Sequence, residues 1–191
     1  MISEKHIFEK TFLWKWVLYT IIALPAGLFL SFPAAWLVNL IYPKETNLVV
    51  GLCLGATVGY FQWFALKRNV PVSSLWGLAS SVGVGIPFIV SVILNETGIE
   101  VPDISNNNII SWLLTGIIGG FVSGLMQWPL LKPYFRKAGW WLAASTSGWG
   151  ISFLTFQVTG RAGLADSGAG ALLLGLITGS AILLINKFQN E

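Results

Sequence analysis

Charge is what this sequence has least of. Only 10% of its 191 residues are Asp, Glu, Lys or Arg, against about 25% in soluble domains. A water-soluble fold of this length cannot cover its surface with so few polar side chains, so a soluble globular domain is excluded. The single cysteine, Cys53, excludes an intrachain disulfide and a cysteine-cluster metal site, and the single histidine, His6, leaves zinc, haem and histidine proton relays without ligands. No metal is expected. A net charge of +3 is too small to imply nucleic acid as a partner. No nucleotide-binding or zinc-protease motif occurs.

What is present is apolar: 54% hydrophobic residues, with 21 glycines and ten tryptophans. Runs of about 20 apolar residues are long enough to cross a ~30 Å hydrocarbon core. Spans are expected at 14–41, 48–67, 73–94, 109–131, 138–158 and 168–187. The expected fold class is therefore an all-α integral membrane protein of six transmembrane helices, with the lipid bilayer as its first partner. A cytoplasmic segment, 1–13, precedes the transmembrane domain and a short tail, 188–191, follows it. An N-terminal signal peptide is disfavoured, because Glu4 and Glu9 interrupt the basic segment and the apolar run continues through Trp36 to Ile41. Pro25 and Pro33 predict a kink or tilt in the first span. The segments 95–108 and 159–168 read as loops. Ser145, Thr146, Ser147, Gly148 and Gly150 make the fifth span a candidate for local unwinding.

Orientation follows from the basic residues. Lys5, Lys10, Lys15, Lys67, Arg68, Lys132, Arg136, Lys137 and Lys187 fall on one side, while Lys44 and Arg161 fall on the other with five of the eight acids. Basic residues near short loops stay in the cytoplasm. The expectation is an inner (cell) membrane protein with both ends inside, as an even number of spans requires.

The sequence also repeats. Gly51, Gly55, Gly59, Gln62, Trp63, Leu66 and Lys67 return 65 positions later as Gly116, Gly120, Gly124, Gln127, Trp128, Leu131 and Lys132. Trp76, Ala79, Ser80, Gly83, Gly85, Ile86 and Phe88 return as Trp141, Ala144, Ser145, Gly148, Gly150, Ile151 and Phe153. That makes 14 identities in 38 aligned positions. A degenerate third copy starts at Gly175 and Gly179, with Asn186 and Lys187 at the Gln-Trp place. The repeat implies three parallel helical hairpins (about 14–67, 73–131 and 138–187) around a pseudo-threefold axis along the membrane normal. The G-x3-G-x3-G-x2-Q-W-x2-L-K pattern resembles repeats in uncharacterised bacterial multi-pass membrane proteins. That resemblance implies a fold and brings no activity with it.

Each glycine strip runs at i, i+4 and i+8 along one helix face, where bare backbone permits close helix contact. Internal packing is the plain interpretation; a self-association face or pore lining is the functional one. Gln62 and Gln127 lie five residues before a lysine, about 7.5 Å deeper along a helix. An amide at that depth needs partners, either on a neighbouring helix, with the Gly83–Gly85 and Gly148–Gly150 backbones as candidates, or on a ligand. Trp14, Trp16, Trp63, Trp76, Trp128, Trp140 and Trp141 cluster toward the basic side, as an aromatic belt would. Trp149 sits mid-span, filling a gap or facing a cavity. The candidate ligand-binding set is Gln62, Gln127, Trp63, Trp128 and Trp149, and a bound lipid is the one cofactor class considered. No Asp, Glu, Lys, Arg or His falls mid-span, which argues against proton coupling and against catalysis, since no base stands beside a nucleophile.

The leading expectation is a non-enzymatic membrane subunit that binds or passes a small neutral or amphipathic solute, ion or lipid, as a homo-oligomer or with a partner protein. The alternatives are an oligomeric pore or stress-response effector, and a scaffold for a larger membrane complex. With Cys53 replaced by Ala, a cysteine introduced at Arg68 should react with an impermeant maleimide from one face of the membrane, and one at Gly98 from the other. Labelling of both from the same face would refute the hairpin topology.

Overall fold

The computed structural model describes residues 8, 11–41, 46–97, 109–158 and 164–188. The described residues form six α-helices: α1 Phe12–Asn39, α2 Thr46–Leu66, α3 Leu75–Glu96, α4 Ile109–Leu131, α5 Trp140–Val158 and α6 Leu164–Lys187. All are long apolar segments, and five of them are long and apolar enough to cross a membrane. The chain is thus a multi-pass helical membrane protein. The exception is α5, whose Ser145, Thr146, Ser147 and Gly148 dilute its apolar character.

Helix α5 nevertheless runs without a break, contrary to the unwinding expected near its glycines. Its hydroxyls explain why. Thr146 Oγ1 donates to the Leu142 carbonyl at 2.7 Å and Ser147 Oγ to that of Ala143 at 2.8 Å, so these polar side chains are satisfied by the helix itself. Helix α6 begins at Leu164, four residues ahead of the expected span, and takes in part of the expected 159–168 loop. The N-terminal segment, apart from Phe8 and residues 11–13, most of the 95–108 loop and all but Phe188 of the tail lie outside the described residues.

Each helix packs along its sequence neighbours, and α6 packs against α1, so the six close into a ring. The glycine strips lie on these contacts. Gly55 and Gly59 of α2 face Ser80 and Gly77 of α3, and Gly120 and Gly124 of α4 face Ser145 and Leu142 of α5. On α6, Gly175 faces Val17 and Thr20 of α1, while Gly179 faces Leu13 and Trp16. At the top of each strip, Gly51 faces Phe88, and Gly116 faces the Trp149 carbonyl and Phe153. Gly83 lies against Ser123 of α4, Gly148 against Leu174 of α6, Gly85 against Leu52 and Gly150 against Ile117.

Two apolar clusters fill the ring. One, at the end carrying Lys67, Lys132 and Lys187, contains Trp16, Trp76 and Trp141 with Leu66, Leu131 and Ile182. All six are 0 or 1% exposed. The other contains Leu24, Val84 and Trp149 with Leu54, Phe88 and Phe153. The centroids of Trp76 and Trp141 are 5.1 Å apart, and those of Trp16 and Trp141 6.2 Å. Helices α1, α3 and α5 are not neighbours in the ring, so these indoles meet across its axis and plug it.

The aromatic-belt expectation therefore divides. Trp14 (71% exposed) and Trp140 (64%) lie on the surface, whereas Trp16, Trp76 and Trp141 are core residues, because their helix faces turn toward the axis.

A Cβ added at Gly120 would stand 2.5 Å from the Ser145 carbonyl oxygen, whereas one at Gly139 would meet nothing within 4 Å. Gly120→Ala should therefore lower unfolding stability by about 1–3 kcal/mol and Gly139→Ala should leave it within ~0.5 kcal/mol of wild type. Equilibrium unfolding in mixed micelles measures both.

Candidate functional site

Between the two apolar clusters runs a belt of buried polar side chains that includes Thr20, Gln62, Ser80, Gln127, Ser145 and Thr178, none more than 3% exposed. In hydrocarbon such groups are costly unless paired, and most of this belt is paired. Trp141 Nε1 donates to Gln127 Oε1 at 2.9 Å. The Gln127 amide in turn donates to Ser80 Oγ at 2.7 Å and toward the Trp76 carbonyl at 3.4 Å. Gln127 thereby ties α3, α4 and α5 together. Trp16 Nε1 donates to Thr178 Oγ1 at 2.9 Å, joining α1 to α6. Ser145 Oγ donates to the Gly120 carbonyl at 2.7 Å.

Gln62 makes no hydrogen bond among the described residues, and Trp76 Nε1 is buried without a partner. The belt is thus complete at Gln127 and Thr178 and open at Gln62.

The five candidate ligand residues do not converge. Gln127 spends both amide hydrogens and one oxygen lone pair inside the protein. Its partners are Ser80, Trp76 and Trp141, not the Gly83–Gly85 or Gly148–Gly150 backbones, because α3 and α5 stay helical there. Trp63 Nε1 donates to the Val72 carbonyl at 2.9 Å, and the Lys67 ammonium lies 4.1 Å from its ring centroid. Trp128 is 37% exposed on the outside of the ring. Trp149 is buried against Phe153, with centroids 5.9 Å apart, and fills space rather than facing a cavity.

A cavity does exist inside the ring, at the end away from the lysines. It has a volume of about 220 Å³ and is lined by Leu28, Ser31, Leu54, Phe88, Trp112 and Phe153 among others. Side chains of α1, α2, α3, α4 and α5 meet only within the ring, so this space lies on the lumen side. Its wall is almost wholly apolar. Ser31 Oγ donates to the Leu28 carbonyl at 2.6 Å, and Asn47 adds an amide at the α2 end.

None of these lining residues was singled out from the sequence, apart from Phe88 and Phe153 as repeat positions, since a cavity arises from distant segments meeting. The core tryptophans did leave a signal: Trp16-x3-Thr20, Trp76-x3-Ser80 and Trp141-x3-Ser145 share one spacing.

Comparison with protein-family models, curated proteins and solved structures finds no match.

Gln127→Leu strips partners from Trp141 and Ser80, whereas Gln62→Leu removes no bond. The first should cost about 1–3 kcal/mol more than the second. Equal losses on unfolding in mixed micelles would show that the belt contributes no specific hydrogen-bond energy.

Proposed function

We propose that this chain is a non-enzymatic membrane subunit that holds a small apolar or amphipathic molecule in the cavity of its helix ring. The observation that carries this reading is the ~220 Å³ space walled by Leu28, Leu54, Phe88, Trp112 and Phe153. An apolar cavity of about 150 Å³ stays dry and takes up benzene, and typical drug-sized pockets exceed ~300 Å³. The space suits a small ring or a length of alkyl chain. Asn47 stands at the rim for a polar head.

The same geometry speaks against a pore through one chain. Three indoles and the Leu66, Leu131 and Ile182 layer close the axis at the lysine end, so passage of a solute would require the core to come apart.

The architecture is best understood as three copies of one helix pair, the last copy split between α6 and α1. Gly59 lies against Gly77 and Ser80, Gly124 against Leu142 and Ser145, and Gly175 against Val17 and Thr20. In this register Thr178, not Asn186, takes the place of Gln62 and Gln127, and it receives the Trp16 indole as Gln127 receives that of Trp141. The pairs are thus α2–α3, α4–α5 and α6–α1, related by a pseudo-threefold axis through the tryptophans. Helix α5 lies alongside α4 and α6 and crosses the bilayer with them, giving six spans. With the lysine end in the cytoplasm, the cavity opens toward the outer half of an inner membrane.

Reconstituted in nanodiscs, the chain should be stabilised against heat by n-alkanols, with the effect rising with chain length and levelling off once the cavity is full. Ala35 also lines the cavity, so Ala35→Phe fills part of that space and should abolish the stabilisation. An unchanged response in Ala35→Phe would rule the cavity out as the binding site.

A further inference from the structure

We infer that the outer face of the α4–α5 turn is a binding site for the headgroup of an anionic phospholipid. It does not depend on the occupant of the ring cavity. A groove of about 560 Å³ is lined there by Lys132, Arg136 and Lys137, flanked by Trp128 and Trp140. All three cations are exposed. None has a carboxylate partner among the described residues, and no Asp or Glu occurs between Asp103 and Asp166. Three unneutralised cations around one concave surface call for an anion. The same turn in the first repeat carries Pro71 and Val72 where this one carries Arg136 and Lys137, so that pair of cations belongs to this turn and not to the repeat, whereas Lys132 repeats Lys67.

A second groove settles which anion. It is apolar, has a volume of about 400 Å³, and runs along the outside of α5 and α6 past Ala144, Ser147, Ile177, Ala181 and Leu184. It shares Trp140 and Ala143 with the basic groove. Lys137 bridges toward it, its ammonium 4.2 Å from the centroid of Phe188, whose ring lines the apolar side. A phosphate among the three cations thus has acyl-chain space directly beneath it, at the depth where Trp128 and Trp140 mark the polar–apolar boundary. A free phosphate would use only the upper half of this arrangement, whereas a phospholipid uses both.

The test is native mass spectrometry of the delipidated full chain titrated with phosphatidylglycerol, with phosphatidylcholine of the same acyl composition, and with inorganic phosphate. Wild type should retain phosphatidylglycerol at least about fivefold more tightly than phosphatidylcholine. Arg136→Gln/Lys137→Gln should weaken phosphatidylglycerol by about 30-fold, as two juxtamembrane cations predict. Ala143→Phe, which obstructs the junction of the grooves, should weaken both lipids. Because these side chains are exposed, thermal midpoints should match wild type, which separates lost binding from lost fold. The control Lys67→Gln/Arg68→Gln removes the same charge from the same end. If it weakens phosphatidylglycerol as much as Arg136→Gln/Lys137→Gln does, the attraction is diffuse and the site is overturned. Displacement of the lipid by equimolar inorganic phosphate would likewise overturn it, in favour of a free-anion site.

Discussion

Close approach of helix backbones is the constraint on which this molecule rests. Inside a bilayer the hydrophobic effect gives helices little reason to prefer one another over lipid, and association depends on packing and on hydrogen bonds between helices. At Gly120 the absent side chain serves both. It brings α5 near enough for contact, and it bares the carbonyl that Ser145 Oγ reaches at 2.7 Å. A larger residue there would push away the helix that carries Trp141, and with it the bond from that indole to Gln127.

The polar belt gives the ring its register. An apolar helix can slide or rotate against apolar neighbours at small cost, since one packing of Leu and Ile differs little from another. A buried Trp donor aimed at a single amide oxygen is less forgiving, because any displacement leaves a polar group unpaired in hydrocarbon. Gln127 holds three helices by this rule and Thr178 holds two. The partnerless Trp76 indole and the Ser123 and Ser152 hydroxyls mark where the rule is relaxed.

The helices themselves were legible from the sequence, because a run of about 20 apolar residues has few alternatives to a membrane helix. So were the positions of the glycines, whose i, i+4 spacing implies a contact face even before the partner is known. The partners were not. Gln127 could be seen to need hydrogen bonds, but the choice of Trp141 and Ser80 depends on how α3 and α5 converge. The basic-side tryptophans were misread as one belt, since a statistical preference for the interface does not separate Trp140 from Trp141. Those neighbours point about 100° apart around α5, one to lipid and the other to the axis. The cavity left no local trace at all, being bounded by residues as far apart as Leu28 and Phe153.

The closure of α6 onto α1 bears on how the molecule is assembled. Trp16 and Thr178 are 162 positions apart in the chain, so α1 finds this neighbour only after α6 has been made. Before that, the edge of α1 that carries Trp16 lacks the acceptor that Thr178 supplies to its indole in the closed ring. That polar seam is covered when α6 closes onto α1.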